Sequence, residues 1–409
     1  MSLHFLIVDD DTSTIEIYKR LLERDGHQVT SLTSSIDVLA KIAEIKPDCV
    51  LCDLIMPNFD GIDVFKKLRD QNNFSRPLFI IVTSKHFDSD RKRAVDMGVD
   101  GYLTKPINPE TFVNEILEIL QETLTIQFWG IRGTLPVPGE KTVRYGGNTN
   151  CVTLTVAKKH FFIFDAGTGI KELSNHLVEK NVFPMKAKIL ITHPHYDHIN
   201  GLPFFAPLFM SGNEFEVIGT GQDDKNIEAL ISSQMDSVHL PFTIKQFAAQ
   251  LTFKDINEEE FFIGDVGVRT MLLNHPGKCL GYRMEYKNKS FCYITDNELY
   301  LENNPHYNHF ELERLIQFIK DTDVLVMDAT YTDEQYLQKT DWGHSCISQV
   351  VDVADKAGVK LLCLYHHDPD QDDKDIDLKL QSAKSLLKAR DSRTVCIAPR
   401  EGEKIVIYS

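Results

Sequence analysis

Strand-like and helix-like segments alternate along residues 1–122, and this alternation limits the possible folds more strongly than any other feature. The apolar runs of this segment lie at 5–8, 49–52, 78–82 and 102–103. Helical periodicity lies near 13–24, 35–45, 61–70, 88–97 and 108–122. Such alternation predicts a parallel sheet with helices on both faces. Because ligands bind beyond the carboxyl ends of the strands in these sheets, the residues at those ends are the first functional candidates.

Polar side chains follow the predicted strands of this segment. They are Asp9 and Asp10 after the first strand, Asp53 after the third, Thr83 after the fourth and Lys105 after the fifth. Carboxylates that converge raise one another's pKa, so a nearby cation should offset their charge. Mg²⁺ suits three carboxylates and water, and Lys105 would add a second positive charge. Solvated loop carboxylates are the alternative interpretation, which the occurrence of the whole set at successive strand ends disfavours.

Residues 1–122 as a whole resemble the receiver domain of two-component response regulators. The matching positions are the acidic pair Asp9 and Asp10, the phosphoacceptor Asp53, Ile55 (whose carbonyl binds Mg²⁺ in the family), the switch residues Thr83 and Tyr102, the phosphate-binding Lys105 and the cis-proline junction Lys105-Pro106. The resemblance implies a flavodoxin-like, five-stranded parallel sheet with a bound Mg²⁺. It also implies that a partner histidine kinase phosphorylates Asp53 and that Thr83 and Tyr102 then move.

Strand-like runs dominate the remainder of the chain, which follows the last predicted receiver helix without a Gly/Ser-rich or Pro-rich linker. These runs lie at 152–156, 161–164, 188–192, 215–218, 267–273, 291–294, 324–327, 361–365 and 404–408. Helical periodicity lies near 170–180, 310–320, 345–357 and 378–389. Many strands and few helices predict stacked sheets flanked by helices. We therefore predict an α/β chain of two domains, a receiver at 1–122 and a second domain at 124–409.

The central motif of the second domain is the segment His193-Pro194-His195-Tyr196-Asp197-His198, which directly follows an apolar strand. In an extended loop, His193 and His195 point the same way and can bind one ion. Asp197 and His198 lie past the bend and can bind a second. Neutral imidazole combined with carboxylate suits Zn²⁺, and also Mn²⁺ or Fe²⁺. A lone histidine would be an ordinary surface or core residue, whereas this cluster predicts a metal centre.

Six residues cannot complete two coordination spheres, so further ligands are expected at the ends of later strands. The candidates are His275, Asp296 and His366, each just past an apolar strand, together with Asp328 at another strand end and His344 at a predicted helix start. His367 adjoins His366, and adjacent residues of an extended chain point in opposite directions. We therefore predict that His366 is the ligand and that His367 points elsewhere.

Residues 124–409 resemble the metallo-β-lactamase superfamily, most nearly the branch that holds ribonuclease Z and the cyclic-phosphoribose phosphodiesterases. The motifs that carry the resemblance are Phe128-Trp129-Gly130-Ile131-Arg132-Gly133, Tyr145-Gly146-Gly147-Asn148-Thr149-Asn150-Cys151, the Asp-x-Gly-x-Gly turn at 165–169, Asp328-Ala329-Thr330 and Gly343-His344-Ser345. Asp328 stands where the family has Glu, and Cys346 where it has Thr. The resemblance implies an αββα sandwich with one metal on His193, His195 and His275, a second on Asp197, His198 and His366, and Asp296 between them.

A phosphodiesterase is the function that this centre predicts. A metal pair activates water and stabilises charge on a phosphoryl oxygen. The predicted catalytic residues are Asp197, His344 as proton donor to the leaving alkoxide, and Asp328, which would orient His344. Only 20 residues separate His275 from Asp296, which leaves no room for the long arm with which ribonuclease Z enzymes grip transfer RNA. With 44 Lys and Arg against 60 Asp and Glu, nucleic acid is an unfavourable partner, so we expect a small, cyclic or similar phosphodiester.

Three alternatives stay open at this point. A lactonase or thioesterase could use the same metal pair. A non-hydrolytic di-iron sensor or redox protein is less favoured, because flavodiiron relatives usually place Glu where His195 stands. A degenerate domain that only binds a partner is disfavoured by the presence of all seven predicted ligands.

The remaining features of the chain point to a cytoplasmic protein without a membrane partner. No apolar run approaches the roughly 20 residues of a membrane span, and the N-terminus lacks the features of a signal peptide. The eight cysteines are scattered without a disulfide framework. The Phe-rich and Met-rich segment 204–262 is expected to pack in the core, with a cap over the site or a homodimer contact as the alternative.

Overall fold

The computed structural model describes residues 2–70, 77–84, 93–94, 97–121, 123–236, 238 and 240–408. These residues form two compact units, Met1–Leu124 with Ile405–Ser409, and Thr125–Lys404. The domain bounds at 1–122 and 124–409 stay a prediction. Most of the helix predicted at 88–97 lies outside the described residues.

The first unit contains a five-stranded parallel sheet, as predicted. Its strands are β1 (His4–Val8), β2 (Gln28–Leu32), β3 (Cys49–Cys52), β4 (Leu78–Thr83) and β5 (Gly101–Thr104), in the order β2-β1-β3-β4-β5. The helices described in this unit are α1 (Thr12–Arg24), α2 (Val38–Ile45), α3 (Gly61–Asp70) and α4 (Phe112–Gln121). β2 was absent from the predicted apolar runs because it is a half-exposed edge strand of sequence Gln-Val-Thr-Ser-Leu.

The central strands of this sheet are buried on both faces. In β3, Cys49 and Leu51 pack into one apolar layer, whereas Val50 and Cys52 pack into the other. The two cysteines therefore lie on opposite faces of the sheet, as the strand period of two requires. Both are buried free thiols.

The remaining strands form two seven-stranded sheets, most of whose residues belong to the second unit. The first sheet comprises β6 (Thr123–Gly130), β7 (Cys151–Val156), β8 (His160–Phe164), β9 (Lys186–Leu190), β10 (Glu214–Gly219), β11 (Gln250–Asp255) and β19 (Lys404–Tyr408), in the order β11-β10-β9-β8-β7-β6-β19. The second comprises β12 (Glu260–Ile263), β13 (Val266–Leu272), β14 (Leu280–Tyr286), β15 (Lys289–Ile294), β16 (Val324–Asp328), β17 (Leu361–Tyr365) and β18 (Val395–Ile397), in chain order. Its described helices are α5 (Gly169–Lys180), α6 (Tyr196–Ile199), α7 (Ile227–Ser233), α8 (His309–Phe318), α9 (Asp333–Tyr336), α10 (Ile347–Lys356) and α11 (Asp373–Ala389).

Aromatic side chains join these two sheets. The ring of Phe164 in β8 lies 5.2 Å from that of Phe291 and 5.3 Å from that of Tyr293, both in β15. The Tyr365 hydroxyl of β17 donates to the Gly130 carbonyl of β6 over 2.7 Å. These contacts fix the edge at which the ends of the two sheets meet.

Part of the predicted core packing in segment 204–262 is present, since Phe205, Leu208, Phe215 and Met235 are buried in one apolar cluster. Phe204, Phe209 and Phe262 of the same segment are exposed. Among the described helices, none combines the length and the apolar character needed to cross a membrane.

Strand ends determine where the polar residues of the second unit lie. β15, β16 and β17 are parallel neighbours, so the residues that follow them emerge at the same edge. Asp296 comes two residues after β15, Asp328 ends β16, and His366 follows β17. The loop after β9 and the residues after β13 reach the same edge, because the backbone N–H of Leu280 donates to the Thr192 carbonyl.

Candidate metal centre

Three imidazoles and one carboxylate form the first candidate ligand group. Nε2 of His193 lies 2.8 Å from Nδ1 of His195, which lies 3.1 Å from Nε2 of His275. One oxygen of Asp296, Oδ2, lies 3.5 Å from His193 Nε2 and 3.6 Å from His275 Nε2. His193 and Asp296 are buried, whereas His195 is exposed, so this group is reached from solvent on the His195 side.

The second candidate group consists of Asp197, His198 and His366, all buried. Oδ2 of Asp197 lies 3.2 Å from Nε2 of His198 and 3.2 Å from Nε2 of His366. The other oxygen of Asp296, Oδ1, lies 3.2 Å from His198 Nε2 and 3.1 Å from His366 Nε2. Asp296 therefore directs one oxygen to each group.

Residues outside the two groups orient the imidazoles. The buried Asp165 carboxylate lies 2.8 Å from Nδ1 of His198 and also accepts from the hydroxyls of Thr192 and Tyr293. Nδ1 of His275 lies 3.0 Å from the Gly343 carbonyl. Such partners fix which imidazole nitrogen faces a metal. Sequence reasoning placed Asp165 in a glycine-containing turn and missed this contact.

The donor chemistry fits a pair of transition metals. In a tetrahedral zinc site with bonds of 2.0–2.1 Å, ligand atoms stand about 3.3 Å apart. The separations within both groups, from 2.8 to 3.6 Å, bracket that value. Burial alone would raise the pKa of Asp296, but the imidazoles of His366 and His198 hold it well below its usual range. Imidazole nitrogens and carboxylate oxygens in two adjacent groups form a donor set that suits divalent transition metals.

Left-handed backbone occurs at three of these positions. Asp165, Asp296 and His366 have φ values of 56°, 50° and 57°. Non-glycine residues adopt this conformation infrequently, although Asp and His do so more readily than most. Asp165 and His366 directly follow β8 and β17, and Asp296 lies two residues after β15. The sharp turn directs the side chain back toward the common edge instead of along the strand.

His344 lies beside both groups and makes a close contact with Asp328. Its Nδ1 is 2.8 Å from Asp328 Oδ2, and its ring centre is 4.8 Å from that of His366. Burial disfavours the charged imidazolium, but Asp328 outweighs this cost and raises the pKa of His344 to about 9. The other Asp328 oxygen accepts from the Thr330 hydroxyl, which also lies 3.1 Å from His366 Nδ1.

His367 points away from the centre, in contrast to His366. Its backbone forms an isolated β-bridge with Arg132, and its buried ring makes no hydrogen bond within the described residues. On the other side, Gly133 lies against the His366 ring, where an added Cβ would come within 2.2 Å of it. The chain can pass this close to His366 only with glycine at that position.

The predicted phosphorylation site of the first unit also comes together. Asp9, Asp10 and Asp53 form a group whose oxygens lie within 4.8 Å of one another. Nζ of Lys105 lies 2.8 Å from Asp9 and 3.0 Å from Asp53. Burial raises the pKa of Asp9 despite the offsetting ammonium of Lys105, as expected of a carboxylate cluster that favours a cation.

The other predicted residues of this site have distinct surroundings. Ile55 is exposed, and its backbone N–H donates to Asp53 over 3.0 Å. Thr83 is fully buried at the end of β4, and Tyr102 is half-buried in β5. The Lys105-Pro106 peptide bond is cis.

These two sites define a receiver-type unit joined in one chain to a two-sheet unit that carries two adjacent groups of ligand-type residues. A family model of the response regulator receiver domain matches residues 5–117. A model of the beta-lactamase superfamily domain matches residues 160–367, about half of the chain. The chain belongs to the beta-lactamase superfamily, and it carries a response regulator receiver domain in front of that fold, so both predicted resemblances are confirmed at this level.

Similar proteins are known for each unit separately. The alkaline phosphatase synthesis transcriptional regulatory protein PhoP of Bacillus subtilis is 32% identical over 123 residues, which cover 30% of this chain and 50% of PhoP. The chain thus spans about half the length of this curated relative. The metallo-beta-lactamase fold protein YhfI of Bacillus subtilis covers 70% of the chain and all of its own length, with a TM-score of 0.52 and 14% identity. Unliganded yeast PDE1 covers 70% of this chain and 99% of its own, with a TM-score of 0.53 and 13% identity; both likenesses establish the fold.

Proposed function

We propose that this chain is a response regulator whose output domain is a dinuclear-metal phosphodiesterase acting on a small, cyclic or similar diester. The observation that carries the proposal is the position of Asp296, with one carboxylate oxygen near each of two groups of ligand-type residues. His193, His195 and His275 would hold one metal, and Asp197, His198 and His366 the other. When bound, a metal pair activates water and stabilises negative charge on a phosphoryl oxygen.

The chain's own residues supply the remaining chemistry. Asp328 accepts a hydrogen bond from Nδ1 of His344, which leaves Nε2 to donate a proton to the departing alkoxide. Asp197 receives hydrogen bonds from the Thr134 backbone N–H and the Asn150 side chain. These contacts keep its carboxylate in place between His198 and His366.

The short connection between two candidate ligands supports a small substrate. The interval from His275 to Asp296 is filled by the antiparallel hairpin of β14 and β15. No arm extends from this hairpin, all of whose residues are described. A net charge of −16 also makes a long polyanion an unfavourable substrate.

Hydrolysis of small diesters by the metal-loaded full chain is the test of this proposal. We expect turnover of cyclic and linear nucleotide diesters in the presence of Zn²⁺ or Mn²⁺, and its loss in chelator. Under this proposal lactone and thioester substrates should react far more slowly than diesters. Faster lactone or thioester turnover would replace the phosphodiesterase assignment, and an iron-dependent optical spectrum without any hydrolysis would favour a di-iron sensor.

Phosphorylation of Asp53 is expected to regulate this output. With Mg²⁺ and a small acyl phosphate donor, the chain should take up one phosphoryl group, detected by intact-mass spectrometry, and its turnover should change. Asp53→Asn should take up none and should keep constant turnover. Asp48→Asn is the matched control, because Asp48 precedes β3 at the opposite end of the strand. Equal labelling of Asp53→Asn and the unaltered chain would contradict the assignment.

A further inference from the structure

Trp342 is a large aromatic side chain left in solvent two residues before His344. Trp342 is 61% exposed, whereas Trp129, the other tryptophan of this chain, is 7% exposed. A second exposed aromatic residue, Tyr196, stands between the candidate ligands His195 and Asp197. Single exposed apolar residues are common on protein surfaces, so the surroundings of Trp342 decide whether its exposure has a function.

The loop that carries Trp342 is held by a buried carboxylate. Glu298 is fully buried, and it accepts the backbone N–H of Asp341 over 2.9 Å and that of Gly343 over 2.7 Å. The hydroxyl of Tyr336 donates to the same carboxylate. Both neighbours of Trp342 are therefore tied to one buried group, which fixes the backbone from which the indole projects.

The same loop has left-handed backbone on each side of Trp342. Asp341 and Gly343 have φ values of 70° and 84°. A Cβ at Gly343 would lie 2.3 Å from Nδ1 of His275, and the Gly343 carbonyl lies 3.0 Å from that nitrogen. Gly343, the residue next to Trp342, therefore contacts His275, a candidate ligand of the metal centre.

A chain of ring contacts connects Trp342 to His344 on the other side. Nζ of Lys339 lies 5.6 Å from the indole centre and 4.8 Å from the centre of the Tyr331 ring. Tyr331 in turn lies 5.9 Å from the His344 ring. Lys339 is anchored on the buried Asp368 over 2.8 Å. An aromatic surface and an ammonium group therefore stand together at the rim of the centre.

We propose that Trp342 stacks against the base of a nucleotide substrate, so that the diester cleaved at this centre is a nucleotide. This inference rests on the proposed phosphodiesterase function and specifies its substrate class. A flat indole held on a rigid loop favours a flat heteroaromatic ring, since aromatic side chains stack on any nucleobase. A diester without a base would offer this surface less area for stacking.

Intrinsic fluorescence tests the stacking directly, because the other tryptophan is buried. Adenosine monophosphate added to the zinc-loaded chain should quench the exposed emission in a saturable way, and ribose 5-phosphate should not. The saturable quenching should vanish in Trp342→Phe. Equal responses to both phosphates, or unchanged quenching in Trp342→Phe, would overturn the proposal.

Binding and turnover give a second readout that does not depend on the tryptophan signal. Trp342→Leu should weaken the binding of adenosine monophosphate, measured by calorimetry, about tenfold. It should raise the KM of a nucleotide diester by a similar factor while leaving that of dimethyl phosphate unchanged. Phe262→Leu is the matched control, since Phe262 is 78% exposed on the edge strand β12, and it should behave as the unaltered chain. If diesters are hydrolysed but Trp342→Leu shows no base-dependent effect, only the stacking proposal fails. If adenosine monophosphate binds through Trp342 but no diester is hydrolysed, the phosphodiesterase proposal fails, whereas the stacking of a base on Trp342 stands.

Discussion

Replacing Asp296 with Asn is expected to reduce the metal content of the chain from two ions to at most one and to slow diester hydrolysis about 1,000-fold. The amide keeps the size of the side chain and tolerates the left-handed backbone at this position. It removes the negative charge that faces both candidate ligand groups. Metal pairs contribute several kcal/mol to transition-state stabilisation, and about 4 kcal/mol corresponds to this loss of rate.

The measurement pairs elemental analysis of the purified chain with initial rates on one diester. Asp323→Asn is the control, because Asp323 is also a buried carboxylate of the same sheet but lies at the opposite end of β16. It should keep both metals. Two metals retained in Asp296→Asn, with hydrolysis at the rate of the unaltered chain, would show that Asp296 does not link the two groups.

Three of the candidate ligands were predictable because each lies just past the end of a strand. An apolar run followed within three residues by His or Asp marks the place where a buried strand reaches the sheet edge, and His275, Asp296 and His366 all follow this pattern. Parallel pairing of β15 with β16 and β17 then brings the ends together. The same reasoning found Asp9, Asp53 and Lys105 in the receiver unit.

Residues that act through distant backbone were not predictable in this way. Glu298 reads as an ordinary loop acid in the sequence, and its role depends on N–H groups more than 40 residues away. Asp165 likewise orients His198 from 33 residues upstream. Neither contact has a local sequence signal, because both arise only when the two sheets pack.

Strands with polar or charged residues were missed for a related reason. β14 contains Arg283, which is nearly buried and donates to the carbonyls of Phe318 and Lys320. The arginine interrupts an apolar pattern that the sheet nevertheless buries. The buried charge is tolerated because these carbonyls accept hydrogen bonds from the guanidinium. They are distant in the sequence, so hydrophobic periodicity cannot predict them.

Replacing His344 with Ala is expected to slow hydrolysis of a diester with an alkoxide leaving group by about 100-fold to 10,000-fold, the usual contribution of a positioned general acid. The same variant should hydrolyse a 4-nitrophenyl diester at nearly the original rate, because nitrophenolate departs without a proton. The contact of Nδ1 with Asp328 is the reason to expect a proton donor at Nε2.

The comparison between leaving groups separates this role from metal binding. His344 lies close enough to Asp296 and His366 to be a ligand itself, and a lost ligand would slow both substrates equally and lower the metal content. Asp328→Asn should retain both metals and slow the alkoxide substrate less than His344→Ala does, since the imidazole would remain but lose its orienting carboxylate. Equal losses for both leaving groups, with fewer than two metals bound, would reassign His344 from proton donor to ligand, and the leaving alkoxide would then need a different source of its proton.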